Sequence, residues 1–155
     1  MTTRLRIPDA DAMEGLGARL AGLLAAGDLV VLDGPLGAGK TTLTRGLGAA
    51  LGARGAVTSP TFVLAREHPT AAGVPLVHVD AYRLATAREL DDLDLDYDGA
   101  IVVVEWGRGK LDGVAESWID VEIARDAADD SRDVAITGHG PRWTHLDAAL
   151  SSPPA

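Results

Sequence analysis

Apolar and polar positions along the chain follow three distinct rhythms. Met13, Leu16, Leu20, Leu23 and Leu24 recur at helical spacing behind Asp9 and Asp11, either of which supplies an N-cap. This predicts an amphipathic helix from about Ala12 to Ala25. Leu43, Leu47 and Leu51 form a second stripe, predicting a helix from about Lys40 to Leu51 that ends near Gly52. "LVVL" (29–32) and "AIVVVEW" (100–106) are continuous apolar runs, as strands buried on both faces of a parallel sheet require. "TFVLAREH" and "VPLVHVDAYRL" read as strands separated by the turn-rich "PTAAG". "TARE" (86–89) matches a capping box and opens a short helix carrying Leu90 and Leu93. "SWIDVEIA" and "RDVAITG" alternate around the acidic "RDAADDS", which predicts an antiparallel hairpin, and "RWTHLDAAL" closes the chain with a helical pattern.

Strands and helices intermix in this order, so the expected fold class is α/β: a central sheet, mostly parallel with antiparallel strands, and helices on both faces. At 155 residues the chain suits one domain, expected over 1–150, with "SSPPA" (151–155) as a disordered tail.

Composition narrows the chemistry. A net charge of −9 argues against a broad nucleic-acid-binding face, although twelve arginines leave room for local clusters. Cysteine is absent, which removes disulfides and thiolate metal sites. The N-terminus lacks an apolar signal-peptide core and no run approaches a membrane span, so a soluble cytoplasmic protein is expected. Asparagine and glutamine are also absent. A guanine-reading N-K-x-D motif and a water-positioning glutamine are thereby excluded, and with them the usual small GTPase. Of two lysines, Lys40 and Lys110, the first lies inside a glycine-rich loop.

That loop, Gly34-Pro35-Leu36-Gly37-Ala38-Gly39-Lys40-Thr41, satisfies G-x-x-x-x-G-K-[ST] between a buried strand and an amphipathic helix. Its glycines let main-chain N–H groups approach phosphate oxygens, and the helix N-terminus adds orphan donors and partial positive charge. Lys40 supplies a full charge for the β- and γ-phosphates, and the Thr41 hydroxyl suits Mg²⁺. A P-loop also needs an acid on a second strand to hold Mg²⁺ or its water. Glu105 ends "IVVVE" at a strand C-terminus, where open α/β sheets bind ligands; the bland alternative is the start of a polar loop. Asp80 shares a strand face with His78 and Tyr82, either as a second functional acid or as part of a solvent-facing row. In "VTSPTF", Thr58, Ser59 and Thr61 surround Pro60; a phosphate-sensing loop is one reading, but the residues alone favour ordinary turn chemistry. His139 and His145 lack a carboxylate constellation and read as surface or packing histidines; Trp118 and Trp143 read as hydrophobic anchors.

Taken in order and spacing, "GPLGAGKTTLTRGLG", "VTSPTFVL", "HVDAYRL" and "IVVVEWG" resemble the bacterial TsaE (YjeE-type) ATPases over most of 28–109. The resemblance implies an ATP- and Mg²⁺-dependent hydrolase acting in threonylcarbamoyl modification of adenosine 37 of tRNA. Its implied partners are TsaD, which transfers the group, and TsaB; tRNA is reached through the complex. It implies that hydrolysis supports turnover of that complex rather than the transfer chemistry. Carried over by position, Gly34, Leu36, Gly37, Ala38, Gly39, Lys40, Thr41, Thr42, Thr61 and Trp106 belong to the nucleotide site. Asp80 and Glu105 are its functional acids, with Glu105 and Thr41 linked to the metal. Two other readings share the loop: a small-molecule or nucleoside kinase, for which no lid-sized insertion is visible, and a nucleotide-gated binding module without catalysis.

Overall fold

The computed structural model describes residues 2–35, 37–55, 65–81, 95–107, 111, 114–125 and 128–151. Seven strands form one sheet: β1 (Thr2–Ile7), β2 (Leu29–Asp33), β3 (Ala65–His68), β4 (Leu76–Asp80), β5 (Ile101–Glu105), β6 (Trp118–Arg125) and β7 (Arg132–His139), in the order β1-β7-β6-β2-β5-β4-β3. The inner strands β6, β2, β5 and β4 run parallel, while β1, β7 and β3 pair antiparallel on the flanks. The division follows the sequence. Strands read as unbroken apolar runs occupy the middle, and the alternating hairpin β6–β7 leads to one edge.

Three described helices, α1 (Ala10–Ala21), α2 (Lys40–Leu51) and α3 (Leu146–Ser151), cover one face. Met13, Leu16 and Leu20 of α1 meet Leu43 and Leu47 of α2 over Val30, Leu32, Ile101 and Val103. Each such side chain, fully buried, stabilises the fold by roughly 1.5–3 kcal/mol. The two helices touch through glycine. A Cβ on Gly17 would lie 2.1 Å from the Leu43 carbonyl oxygen, and one on Gly46 would lie 2.1 Å from that of Glu14. On the opposite face, Leu29, Val31, Val77, Val79, Val102 and Val104 form a second apolar layer under Leu95, Tyr97, Leu111 and Val114.

Three sequence expectations are revised. Asp9 is the cap of α1, its side chain accepting from Ala12 N–H, but the helix stops at Ala21. Beyond Gly22 the chain makes separate turns, and Asp28 Oδ2 takes the Ala25 N–H at 2.7 Å. Leu23 and Leu24 still pack against the core from these turns. Strand β1 has no counterpart among the predicted elements: four polar residues among its six hide it, and pairing with β7 supplies what local pattern lacks. Ser151, expected in the tail, closes α3. The helix opened by "TARE" and the segments "VTSPTFVL" and 152–155 lie outside the described residues. No described helix is long and apolar enough to cross a membrane.

Candidate functional site

Parallel pairing of β2, β5 and β4 brings three strand ends to one edge. Leu32 lies opposite Glu105, and Glu105 opposite Asp80. Side chains at paired positions of a parallel ladder share a face. Glu105, Asp80 and, one step back, His78 therefore point toward the layer of α1 and α2, alongside Leu32 and Val103. Strand β2 then leaves the sheet at Asp33 and turns through the glycine loop into α2.

Backbone geometry explains the glycines. Gly37 and Gly39 have φ of 79° and 117°, left-handed values that side chains disfavour. Gly34 passes so close to β6 that a Cβ would lie 2.6 Å from the Ile123 carbonyl oxygen. Gly39 caps α2 without any side-chain acceptor, and the first turn contains no acid. The first N–H groups of α2 and its positive dipole end thus meet no capping anion among the described residues, which suits a phosphate.

Lys40, the first residue of α2, is 5% exposed. Its ammonium donates to the carbonyls of Gly34 (2.6 Å) and Pro35 (3.1 Å) and lies 4.0 Å from the centre of the Trp106 ring. Burial lowers its pKa from 10.5, against the upward pull of Glu105, Asp33 and Asp80. Three carboxylates and one ammonium leave this corner with excess negative charge, a setting that favours a divalent cation. No group of three His, Cys, Asp or Glu side chains among the described residues is arranged to hold a metal. Asp33, Asp80 and Glu105 are hard oxygen donors, the kind that Mg²⁺ takes alongside phosphate and water. Thr41, beside Lys40 in the first turn, is half-buried.

Glu105 is buried, and its Oε2 accepts a 2.5 Å hydrogen bond from Nε2 of the fully buried His78. That removes the solvent-facing alternative for this part of the "HVD" row. Trp106 follows in a left-handed conformation (φ 64°), fixed by its N–H on the Leu32 carbonyl at 2.8 Å. A non-glycine backbone held this way is strained, a common trait of functional positions.

Gly34, Gly37, Ala38, Gly39, Lys40, Thr41, Thr42, Asp80, Glu105 and Trp106 are thus gathered around one strand edge, while Leu36 and Thr61 lie outside the described residues. Sequence reasoning passed over three neighbours. Asp33 ends β2 and acts on Lys40; His78 holds Glu105; Arg132, at the start of β7, donates to the Ala38 carbonyl at 2.9 Å. A polar residue alternating inside a buried strand was the available signal for His78. Nothing local marks Arg132, which acts across 94 residues of sequence. It lines a cavity of about 280 Å³ with Ile7, Asp9, Met13, Gly37 and Thr42.

The model of the family described as "Threonylcarbamoyl adenosine biosynthesis protein TsaE" matches residues 7–134. The "tRNA threonylcarbamoyladenosine biosynthesis protein TsaE" of Streptomyces coelicolor is 57% identical over 145 residues, covering 89% of this chain and 98% of the relative. The Mycobacterium tuberculosis protein of the same name is 50% identical over 127 residues, 76% of each chain. That of Bacillus subtilis is 37% identical over 128 residues, 81% of this chain and 78% of the relative. A crystal structure of Bacillus subtilis YdiB superposes with a TM-score of 0.78 at 29% identity, covering 97% of this chain and 95% of that one. The chain belongs to the TsaE family of threonylcarbamoyl adenosine biosynthesis proteins.

Proposed function

We propose that the chain is a Mg²⁺-dependent ATPase supporting N6-threonylcarbamoyladenosine formation at tRNA position 37, together with TsaB and TsaD. The observation that carries this reading is the setting of Lys40: a buried ammonium at an uncapped helix start, ringed by Asp33, Asp80 and Glu105. A structural lysine would find an acid partner. This one rests on two carbonyls and an indole, contacts that a polyphosphate outcompetes.

In this reading the amides of Gly37, Gly39 and Lys40 receive phosphate oxygens, and Lys40 swings from Gly34 and Pro35 to the β- and γ-phosphates. Thr42 and the cavity beside it take the nucleoside side. Thr41 and Glu105 would hold Mg²⁺; when bound, the ion supplies charge neutralisation at the phosphate oxygens. Asp80 or Glu105 orients the attacking water from the strand edge. Phosphoryl transfer demands mainly positioning and electrostatic stabilisation, and these residues offer both. Partner contacts complete the site, so activity alone is slow.

Nucleotide binding by calorimetry and phosphate release, measured on wild type, K40A and E105Q, test the reading. The expected pattern is loss of binding in K40A, and in E105Q retained binding with phosphate release reduced about 10²-fold or more. Failure of the wild type to bind ATP would overturn the proposal. Transfer of phosphate to a nucleoside monophosphate would favour the kinase instead.

A further inference from the structure

Glu105 exerts the largest of three carboxylate attractions on the Lys40 ammonium, yet no ion pair joins the two among the described residues. A buried acid and a buried base that attract one another recover most of their desolvation cost in a direct, hydrogen-bonded pair. Here each is held elsewhere. Lys40 donates to Gly34 and Pro35 and lies against Trp106. Glu105 Oε2 is bonded to His78 Nε2 at 2.5 Å, with the histidine side chain fully buried and that of the acid 5% exposed. We propose that His78 is the positioning residue that keeps Glu105 off Lys40, so that ammonium and carboxylate both remain available to the nucleotide. The inference rests on the nucleotide reading above and goes further, assigning a role to a residue outside the loop and the acids.

The register supplies the leverage. His78 lies opposite Val103 on β4, two residues before Asp80, so its ring reaches Glu105 diagonally across the ladder on the same face. Because a carboxylate only accepts, Nε2 must be the donor and carry the proton. Nδ1 is buried with no hydrogen-bond partner. A neutral ring with its proton on Nε2 leaves there only a lone pair, which is tolerated better than an orphan N–H. The tautomer and the ring orientation thus agree with a single task, donation to Glu105. A glutamate has three rotatable bonds, and without that donor the attraction of the Lys40 ammonium is left to turn it. Groups that hydrogen-bond to a functional carboxylate and so orient it commonly matter this much.

The test is ATP affinity in EDTA, where neither metal nor turnover contributes, measured by calorimetry on the full chain. H78M removes the donor at similar volume and should weaken ATP by about tenfold, because Glu105 captures Lys40. H78Q, whose amide reaches the Nε2 position, should bind within about threefold of wild type. H78M/E105Q should recover to within about threefold of E105Q, since an amide competes poorly for the ammonium. A histidine acting only through packing would not be suppressed by changing Glu105. H78N, whose shorter amide cannot reach, replaces H78M in the same comparison should H78M not fold. Equal affinity in wild type and H78M, or a double variant as weak as H78M, would overturn this inference while leaving the ATPase reading intact. A wild type that binds no ATP would remove both.

Discussion

The Lys40 ammonium lies 4.0 Å from the centre of the Trp106 indole, joining the first residue of α2 to the residue that follows β5. The contact couples the two halves of the candidate site, since whatever draws Lys40 toward phosphate uncovers the ring. A partly desolvated cation–π contact is worth about 1–2 kcal/mol, little beside the attraction of a polyphosphate.

Tryptophan emission should therefore report nucleotide directly. Addition of ADP or ATP is expected to shift the fluorescence of wild type, and W106F should abolish the change. Trp118 opens β6 and Trp143 lies in the turn before α3, neither near the loop. A signal that survives in W106F would contradict the coupling.

Arg132 fastens the glycine loop to the sheet. Its Nε donates to Ala38 O at 2.9 Å and its Nη2 to Gly37 O at 3.4 Å, while Nη1 pairs with Asp130. Loss of these bonds in R132M should cost about 1–3 kcal/mol. Thermal denaturation should then show a melting temperature lower by about 2–4 °C per kcal/mol, and calorimetry a weaker ATP affinity. An unchanged affinity would mean that the loop keeps its shape without the arginine.

Gly46, like Gly17, marks one of the two tight approaches of α1 and α2. A Cβ there would lie 2.1 Å from the Glu14 carbonyl oxygen, and backbone at that distance cannot step aside. G46A should raise helix propensity locally and still destabilise the protein by about 1–3 kcal/mol, measurable by urea unfolding. Unchanged or increased stability would refute the packing described.

Asp129 should titrate far below an ordinary aspartate. The Ser131 hydroxyl and N–H bond its carboxylate, and Arg6 reaches it from β1, lowering the pKa from 3.8 to about 2. A depressed folded-state pKa means that this stabilisation is fully present above 3.8 and is lost as pH falls from 3.8 to about 2. Carboxyl NMR titration of the folded protein should place the midpoint near the lower value and move it upward in S131A. A wild-type midpoint near 3.8 would remove this staple between β1 and the β6–β7 turn.

Legibility in the sequence followed the range of the interactions. The glycine loop, the bounds of α2 and the β6–β7 hairpin could be read because their determinants are local: spacing, capping and alternation. The position of Glu105 was legible because it ends an apolar strand, at the edge where parallel sheets bind ligands. Strand β1 was not, since Thr2, Thr3, Arg4 and Arg6 become a strand only by pairing with β7 some 130 residues on. His78 was visible as a polar residue in an apolar strand, but its task depends on the register that sets β4 beside β5. Arg132 and Asp33 act through the fold alone.

In the proposed function, the glycine loop and its acids power a tRNA-modifying complex. Phosphate release from ATP, measured with the chain alone and then with TsaB, TsaD and tRNA under Mg²⁺, tests it most directly. Slow release alone, clear stimulation by the partners, and loss of both in K40A are the expected results. ATP left intact by the wild type in the complete mixture would contradict it.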